Sequence, residues 1–329
     1  MRSYWMQMAG ASTVLELRDV AVPEPAPRQL LVRMHAASLN RGEFLPGHGT
    51  FGKPGTWKAI GGEGAGEVVA AGSDVREFRP GDRVMGRCTG AFADYALMEA
   101  GEAMTVPATL SWEEASAIPL TYLVAFDMLV QQGRLAAGEW LLVNGVSSGV
   151  GVASLQLAKT LDARVIGTSG SSAKLAALLP LGLDVGICTR QPDFAAPVLE
   201  ATAQRGADLV VNAVGGSMFG ECLRALAFEG RLATVGFVDG AGHADIDLSA
   251  LHSKRLTVFG VSNKMRSPAH RAKPVPDFIR DMLPAFAGGR IKPIVDRVFA
   301  FEQLGQAREH MQADRHLGKI VLAIAAGRA

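Results

Sequence analysis

The chain has 329 residues with 33 basic and 32 acidic side chains, a net charge of +1 at pH 7, and 48% hydrophobic against 20% charged residues. Near-neutral charge argues against a nucleic-acid or anionic-membrane partner, no apolar run reaches the roughly 18 residues of a membrane span, and the opening MRSYWMQMAG lacks the apolar core of a signal peptide. A chain of this length is expected to bury two cores, and three widely spaced cysteines, Cys88, Cys188 and Cys222, point to a reducing, cytoplasmic setting rather than a disulfide framework.

Residues 14–118 read as a β-rich, heavily punctuated text. An extended, proline-stiffened entry at 20–27 precedes a strand at 30–36, a glycine-dense strand pair at 61–72, a turn and strand at 79–84, and a strand at 90–98. Together they predict a small, roughly barrel-like domain. From Ser111 the texture changes: residues 112–132 are helix-compatible, interrupted by Pro119.

The stretch 138–174 organises the rest of the chain. Residues 140–144 (WLLVN) form a short apolar run that suits a buried parallel strand, and a glycine-rich turn and a helix come next. Val150, Ser154, Leu157 and Leu161 give that helix one inward face, and 163–168 is a second strand. A strand–turn–helix–strand unit of this size fits a dinucleotide-binding βαβ motif. Glycines let the backbone approach a pyrophosphate, which the free N–H groups of the helix start then hold. Where G-x-G-x-x-G would stand, the chain reads Val146-Ser147-Ser148-Gly149-Val150-Gly151, so two of the three expected glycines are replaced and the surrounding context carries the assignment.

The second strand ends in Ser169-Gly170-Ser171-Ser172-Ala173-Lys174. An NAD site places a carboxylate here for the ribose 2′-hydroxyl. This chain offers Ser169, Ser171 and Lys174, which suit a 2′-phosphate and predict NADP(H). Short apolar strands at 207–213, 231–236 and 256–261, with helical text at 218–228, continue the alternation and predict an open, mostly parallel sheet. A polar loop, a helix at 276–288, a helix at 301–314 and a strand at 318–324 complete the chain.

Several stretches together resemble the medium-chain dehydrogenase/reductase superfamily, nearest to its zinc-free quinone oxidoreductases and related enoyl reductases. They are 37–43 (ASLNRGE), 61–72, 80–84 (PGDRV), 145–159 (GVSSGVGVASLQLAK), Val214-Gly215-Gly216, Gly230-Arg231-Leu232 and 318–322 (GKIVL). The resemblance implies a doubly wound Rossmann sheet within 119–264 and a GroES-like catalytic domain split between 1–118 and 265–329. It also implies a homodimer, with the 256–261 strand as its edge.

Zinc-dependent members of the superfamily carry a Cys in the segment matching Ser38-Leu39-Asn40 and a His before the glutamate of the 61–63 run. Here those positions hold no Cys and Gly62; the third-ligand region near Leu120 and Thr121 and the structural-zinc lobe are equally bare of cysteines. No metal site is therefore expected. Without a Lewis acid, conjugated acceptors are easier to reduce than simple ketones, so quinones or α,β-unsaturated carbonyl compounds are the expected substrates. A pathway-specific enoyl reductase and a non-catalytic NADPH-binding sensor are the alternatives.

The resemblance further places Asn40 beside the nicotinamide ribose and substrate, where its amide donates to a substrate oxygen; the plainer alternative is an amide that caps its own loop. Many quinone oxidoreductases have a tyrosine where this chain has Leu45. Thr121 and Tyr122 fall where the linking helix approaches the nicotinamide, which makes Tyr122 a candidate proton donor; His48 and Tyr95 are weaker candidates. Further cofactor contacts are implied at Ser147, Ser148, Gly149, Val150, Gly151, Val214, Gly215, Gly236, Phe237, Phe259 and Val261. Arg190 is placed at the adenosine phosphate, next to Thr189 where relatives have a tyrosine.

Overall fold

A computed structural model describes residues 1–9, 12–44 and 55–324. The chain divides into two compact units, one of Met1–Leu120 with Lys264–Ala329 and one of Thr121–Asn263.

The first unit begins with an antiparallel hairpin, β1 (Arg2–Ala9) and β2 (Ser12–Asp19), to which the short β4 (Lys58–Ala59) adds on the β1 side. This hairpin was not legible in the sequence. Next come β3 (Gln29–Ser38), β5 (Glu63–Ala71), β6 (Arg83–Thr89) and β7 (Tyr95–Thr105), paired antiparallel in that order. β7 also pairs back onto β3, from Gln29↔Glu99 to Arg33↔Tyr95, so the sheet closes on itself as a small barrel. Leu30, Val32, Met34, Val68, Val84, Phe92 and Met98 fill it. The expected strand pair at 61–72 is a single strand, β5; its partner, β6, lies beyond a turn at Gly81 (φ +94°). The strand expected at 90–98 starts only at Tyr95 and runs to Thr105.

Pro119 breaks the 112–132 stretch as its missing N–H predicts. α1 (Trp112–Ser116), capped by the Ser111 hydroxyl on the Glu114 N–H, stops before it, and α2 (Thr121–Phe126) starts after it and runs into a π-helical turn at Asp127–Gln132.

The second unit is a six-stranded, wholly parallel sheet of β8 (Trp140–Asn144), β9 (Arg164–Ser169), β10 (Val185–Cys188), β11 (Ala207–Asn212), β12 (Leu226–Thr234) and β13 (Thr257–Gly260). Its spatial order is β10-β9-β8-β11-β12-β13, so the winding reverses between β8 and β11. In such sheets ligands bind outside the carboxyl ends of the strands at that reversal. The helix after the glycine turn, α3 (Gly149–Thr160), is buried at every residue from Gly151 to Ala158 rather than on one face, because it packs on β8 and β9 and also on α2.

The last two strands return to the first unit. β14 (Val295–Ala300) and β15 (Lys319–Ala323) pair in parallel, and β15 runs antiparallel beside β3, with Val321 opposite Ser38. The carboxyl-terminal strand therefore ends beside the third strand of the chain. Among the described residues, no helix is long and apolar enough to cross a membrane.

Candidate functional site

In the second unit, the strand ends at the sheet reversal are tied together by side chains. β8 and β11 both end in asparagine, and Asn144 stands opposite Asn212 in the register. The Asn144 amide donates to Asn212 Oδ1 at 3.1 Å, and the Thr168 hydroxyl of β9 donates to Asn144 Oδ1 at 2.7 Å. Asn212 Oδ1 also accepts the Val214 and Gly215 N–H groups at 3.1 and 3.2 Å, while its amide donates to the Gly215 carbonyl at 2.8 Å. The Gly145 N–H reaches the Thr168 hydroxyl at 3.2 Å. One network thus fixes both the glycine turn and the 214–215 turn. Neither asparagine was singled out in the sequence; the signal was there in two apolar strands, WLLVN and ADLVVN, that both close on a buried amide.

The turn itself is built for close approach. Gly145 takes φ +86°, and a Cβ on Gly151 would lie 2.6 Å from the Val146 Cα. Ser148 caps α3: its hydroxyl donates to the Gly145 carbonyl at 2.8 Å and accepts the Gly151 N–H at 3.1 Å. Gly149 and Val150 occupy the first two helical positions, whose N–H groups have no partner within a helix. The departures from the glycine pattern have local reasons. Val146 is fully buried and fills the space over Gly167, where a Cβ would lie 2.6 Å from its Cγ1.

At the end of β9 two hydroxyls lie close together. Ser147 and Ser169 hydroxyls are 3.1 Å apart, and Ser171 caps α4 (Ser172–Leu178) through the Lys174 N–H at 3.3 Å. The Arg190 side chain lies across Gly170, occupying the room of its missing Cβ, which would sit 2.5 Å from the arginine Cγ and 2.7 Å from Cζ. Glycine at 170 is what lets Arg190 lie there.

The remaining second-unit candidates are spread around these turns. Val214 touches the glycine turn, 3.5 Å from the Cβ position of Gly145. Gly215 (φ +139°) faces the Asp239 carboxylate, which accepts the Ser217 and Ala241 N–H groups, each at 2.9 Å. Burial works to raise the pKa of Asp239, but hydrogen bonds from Ser217 and Ala241 outweigh it and hold the carboxyl below its usual range. Gly236 lies next to the Ala213 carbonyl, Phe237 is exposed, Phe259 is half-buried in β13 and Val261 is buried. Thr121 is buried with no hydrogen-bond partner for its hydroxyl among the described residues. Tyr122 is buried, and its hydroxyl donates to the Gln156 side chain of α3. Burial pushes its pKa up, and its hydrogen bond ties the phenol to the neighbouring helix.

In the first unit a buried polar cluster forms where β3, β5 and β15 meet. Lys319 Nζ donates to Leu39 O at 3.0 Å, Asn40 Oδ1 at 2.8 Å and Glu63 Oε1 at 2.8 Å, using all three of its hydrogens. Glu63 Oε1 also accepts the Ser38 hydroxyl at 2.7 Å and the Asn40 amide at 2.9 Å, and its Oε2 accepts the Leu120 N–H at 2.7 Å. Burial raises the Glu63 pKa, but the Lys319 charge and these donors more than reverse that, so its carboxyl stays below the usual range. Glu43 completes the group. Its Oε1 accepts the Gly62 N–H at 2.8 Å and the Asn40 amide at 3.4 Å.

Asn40 is therefore held from both ends of its amide. Glu43, Glu63 and Lys319 went unread in the sequence because 256 positions separate Glu63 from Lys319 and only the β3–β15 pairing brings them together. The donor set is a poor fit for zinc: an ammonium occupies its centre, and a side chain at Gly62 would begin 2.7 Å from Glu43 Oε1. Among the described residues no group of three or more His, Cys, Asp or Glu is placed to hold a metal ion. Tyr95 is half-buried at the start of β7, opposite Arg33. Leu45 and His48 lie outside the described residues.

A family model described as "Alcohol dehydrogenase GroES-like domain" matches residues 26–108, and one described as "Zinc-binding dehydrogenase" matches residues 149–278. Spectinabilin polyketide synthase system protein NorB of Streptomyces orinoci is 32% identical over 95% of this chain, which spans 14% of that protein's length. Quinone oxidoreductase of Rattus norvegicus is 27% identical over 95% of this chain and 94% of its own. Among solved structures, an NAD-dependent alcohol dehydrogenase superposes with a TM-score of 0.85 at 30% identity, covering 99% of this chain and 100% of that one. Two further structures with the fold, each 24% identical, are complexes with NADPH. The chain belongs to the medium-chain dehydrogenase/reductase superfamily.

Proposed function

We propose that this chain is an NADPH-dependent, zinc-independent reductase of quinones or α,β-unsaturated carbonyl compounds. The observation that carries the reading is that Gly62 and the Ser38-Leu39-Asn40 segment, where zinc-dependent members carry His and Cys, offer no such ligand, and that their polar neighbours Asn40 and Glu63 are bound by the Lys319 ammonium. With no Lewis acid to polarise a simple carbonyl, the acceptor must spread negative charge itself, as conjugated systems do.

The bound cofactor supplies a hydride. The chain's own share is positioning and electrostatics. The Gly145–Gly151 turn and the first N–H groups of α3 receive the pyrophosphate. Ser169, Ser171, Lys174 and Arg190 receive the 2′-phosphate, with no carboxylate at the strand end to repel it. Asn40, engaged by Glu63 and Lys319, presents its amide at the substrate end.

Supporting the NADPH reading are the two NADPH complexes of this fold; the NAD-dependent relative makes the preference a point to measure. Fluorescence titration of NADPH and NADH is the test. Arg190→Ala is expected to weaken NADPH binding by about 10- to 100-fold, as loss of a charge-assisted phosphate contact does, and to leave NADH unchanged. Equal losses for both nucleotides would contradict the assignment. A second reading, a reductase dedicated to one enoyl substrate, is favoured by the polyketide synthase match over 95% of this chain; turnover of enoyl thioesters alone would select it.

A further inference from the structure

The cluster in the first unit contains two carboxylates and one ammonium at its centre, and the ammonium goes to one of them. Glu63 takes Lys319 together with three other donors. Glu43, at the end of the 3-10 turn Arg41–Glu43 and only 7% exposed, has no cation at hydrogen-bond distance among the described residues. Its oxygens meet the Gly62 N–H at 2.8 Å and, more loosely, the Asn40 amide at 3.4 Å and the Asn40 N–H at 3.5 Å. Two further described cations near this corner, Arg87 and Arg271, are committed elsewhere. Arg87 of β6 and Arg271 both bind the buried Glu102 of β7, at 3.2 and 2.9 Å, and the adjoining Cys88 thiol is kept neutral by burial.

A buried carboxylate with weak donors and no cation is costly to ionise. Burial raises the Glu43 pKa most, Lys319 lowers it, Glu63 raises it, and the Gly62 and Asn40 hydrogen bonds lower it, leaving it at about 7. The protonated acid is further suited to the place because, among the described residues, its Oε2 meets only the long Asn40 N–H contact and can carry the hydrogen.

We propose that Glu43 is a positioning residue that gains and loses a proton around neutral pH, and that its ionisation re-aims the Asn40 amide, whose Nδ2 it shares with Glu63. When Glu43 is neutral the amide belongs to Glu63; when Glu43 is charged it pulls the second amide hydrogen toward itself and loosens the hold of Glu63. This deepens the reading of Asn40 as a substrate-side group and rests on it only for its catalytic consequence, a limb in the pH profile of turnover.

The test needs neither cofactor nor acceptor. The chain has four asparagines, Asn40, Asn144, Asn212 and Asn263, so asparagine-selective ¹⁵N labelling of the full chain yields four side-chain amide signals, which NMR follows between about pH 5.5 and 8.5. The Asn40 signal is expected to pass through one transition with a midpoint near pH 7, to lose it in Glu43→Gln, and to show a displaced midpoint in Glu43→Asp. Unmoved Asn144 and Asn212 signals certify the fold of each variant. A wild-type Asn40 signal that does not titrate, or a transition that survives unchanged in Glu43→Gln or Glu43→Asp, would overturn the proposal. Failure of the functional reading would look different: the NMR transition present, and no acceptor reduced.

Discussion

Lys319 has no surplus hydrogen and almost no water, and this makes it the most sensitive residue of the first unit. Its side chain and that of Glu63 are 6% and 0% exposed. Removing one member of such a pair strands the other charge, at a cost of about 3–5 kcal/mol. Lys319→Met is therefore expected to lower stability in urea unfolding by that amount, and Glu63→Gln/Lys319→Met to regain most of it. Gly151→Ala sets a Cβ 2.6 Å from the backbone of Val146; the overpacking should cost about 1–3 kcal/mol and weaken NADPH binding, read by thermal unfolding and by titration. Residues like Gly151 are legible because their reason is local: a turn whose backbone passes close to that of Val146. Lys319 is not, since nothing near it in the sequence hints at Glu63. Asn40 lies between these cases. Its proposed place beside the substrate comes from resemblance, whereas its engagement by Glu63 and Lys319 at once needed the fold.

Elements whose burial is one-sided or complete announced themselves, and elements held by distant pairing did not. β8 could be read because a short apolar run before a glycine turn has few alternatives. The β1–β2 hairpin escaped because mixed polar and aromatic residues on a half-covered surface carry no clean alternation. The second half of the supposed 61–72 pair failed because glycines there serve tight strand crossing rather than a turn: a Cβ on Gly64 would lie 2.8 Å from the Ala36 carbonyl. The packing of α1 against β3 makes stability depend on pH. His35 stacks on Trp112 with ring centroids 4.5 Å apart, and the Arg83 guanidinium lies 4.4 Å over the same indole. Burial first, then the Arg33 and Arg83 charges, lower the His35 pKa from 6.5, against opposing pulls from Glu67 and Glu113. The unfolded chain then binds more protons than the folded one between the lowered value and 6.5, so stability falls as pH drops through that window. His35→Phe should keep the stack and flatten this part of the melting-temperature profile; an unchanged acid slope would show that His35 does not titrate there.

At the scale of the whole molecule, the parallel sheet ends in two edge strands, β10 and β13, and on β13 Val258 is 38% exposed. Exposed edge strands of this kind invite pairing with another chain. We expect the mass of two chains in light scattering, and one chain for Val258→Lys. The alternation of strands and helices made the doubly wound sheet readable, and the resemblance added the return of the chain's end to the barrel, which β15 makes beside β3. The acceptor was not readable, and the conjugated class proposed for it rests on the missing zinc ligands at Gly62 and the 38–40 segment. The measurement that tests that chemistry most directly is oxidation of NADPH by the purified chain, with a chelator present, across quinones, enals, enones and saturated ketones. Turnover of quinones or conjugated carbonyls that is indifferent to chelator, with saturated ketones inert, is the predicted result. Turnover of saturated ketones or alcohols that the chelator abolishes would contradict the account.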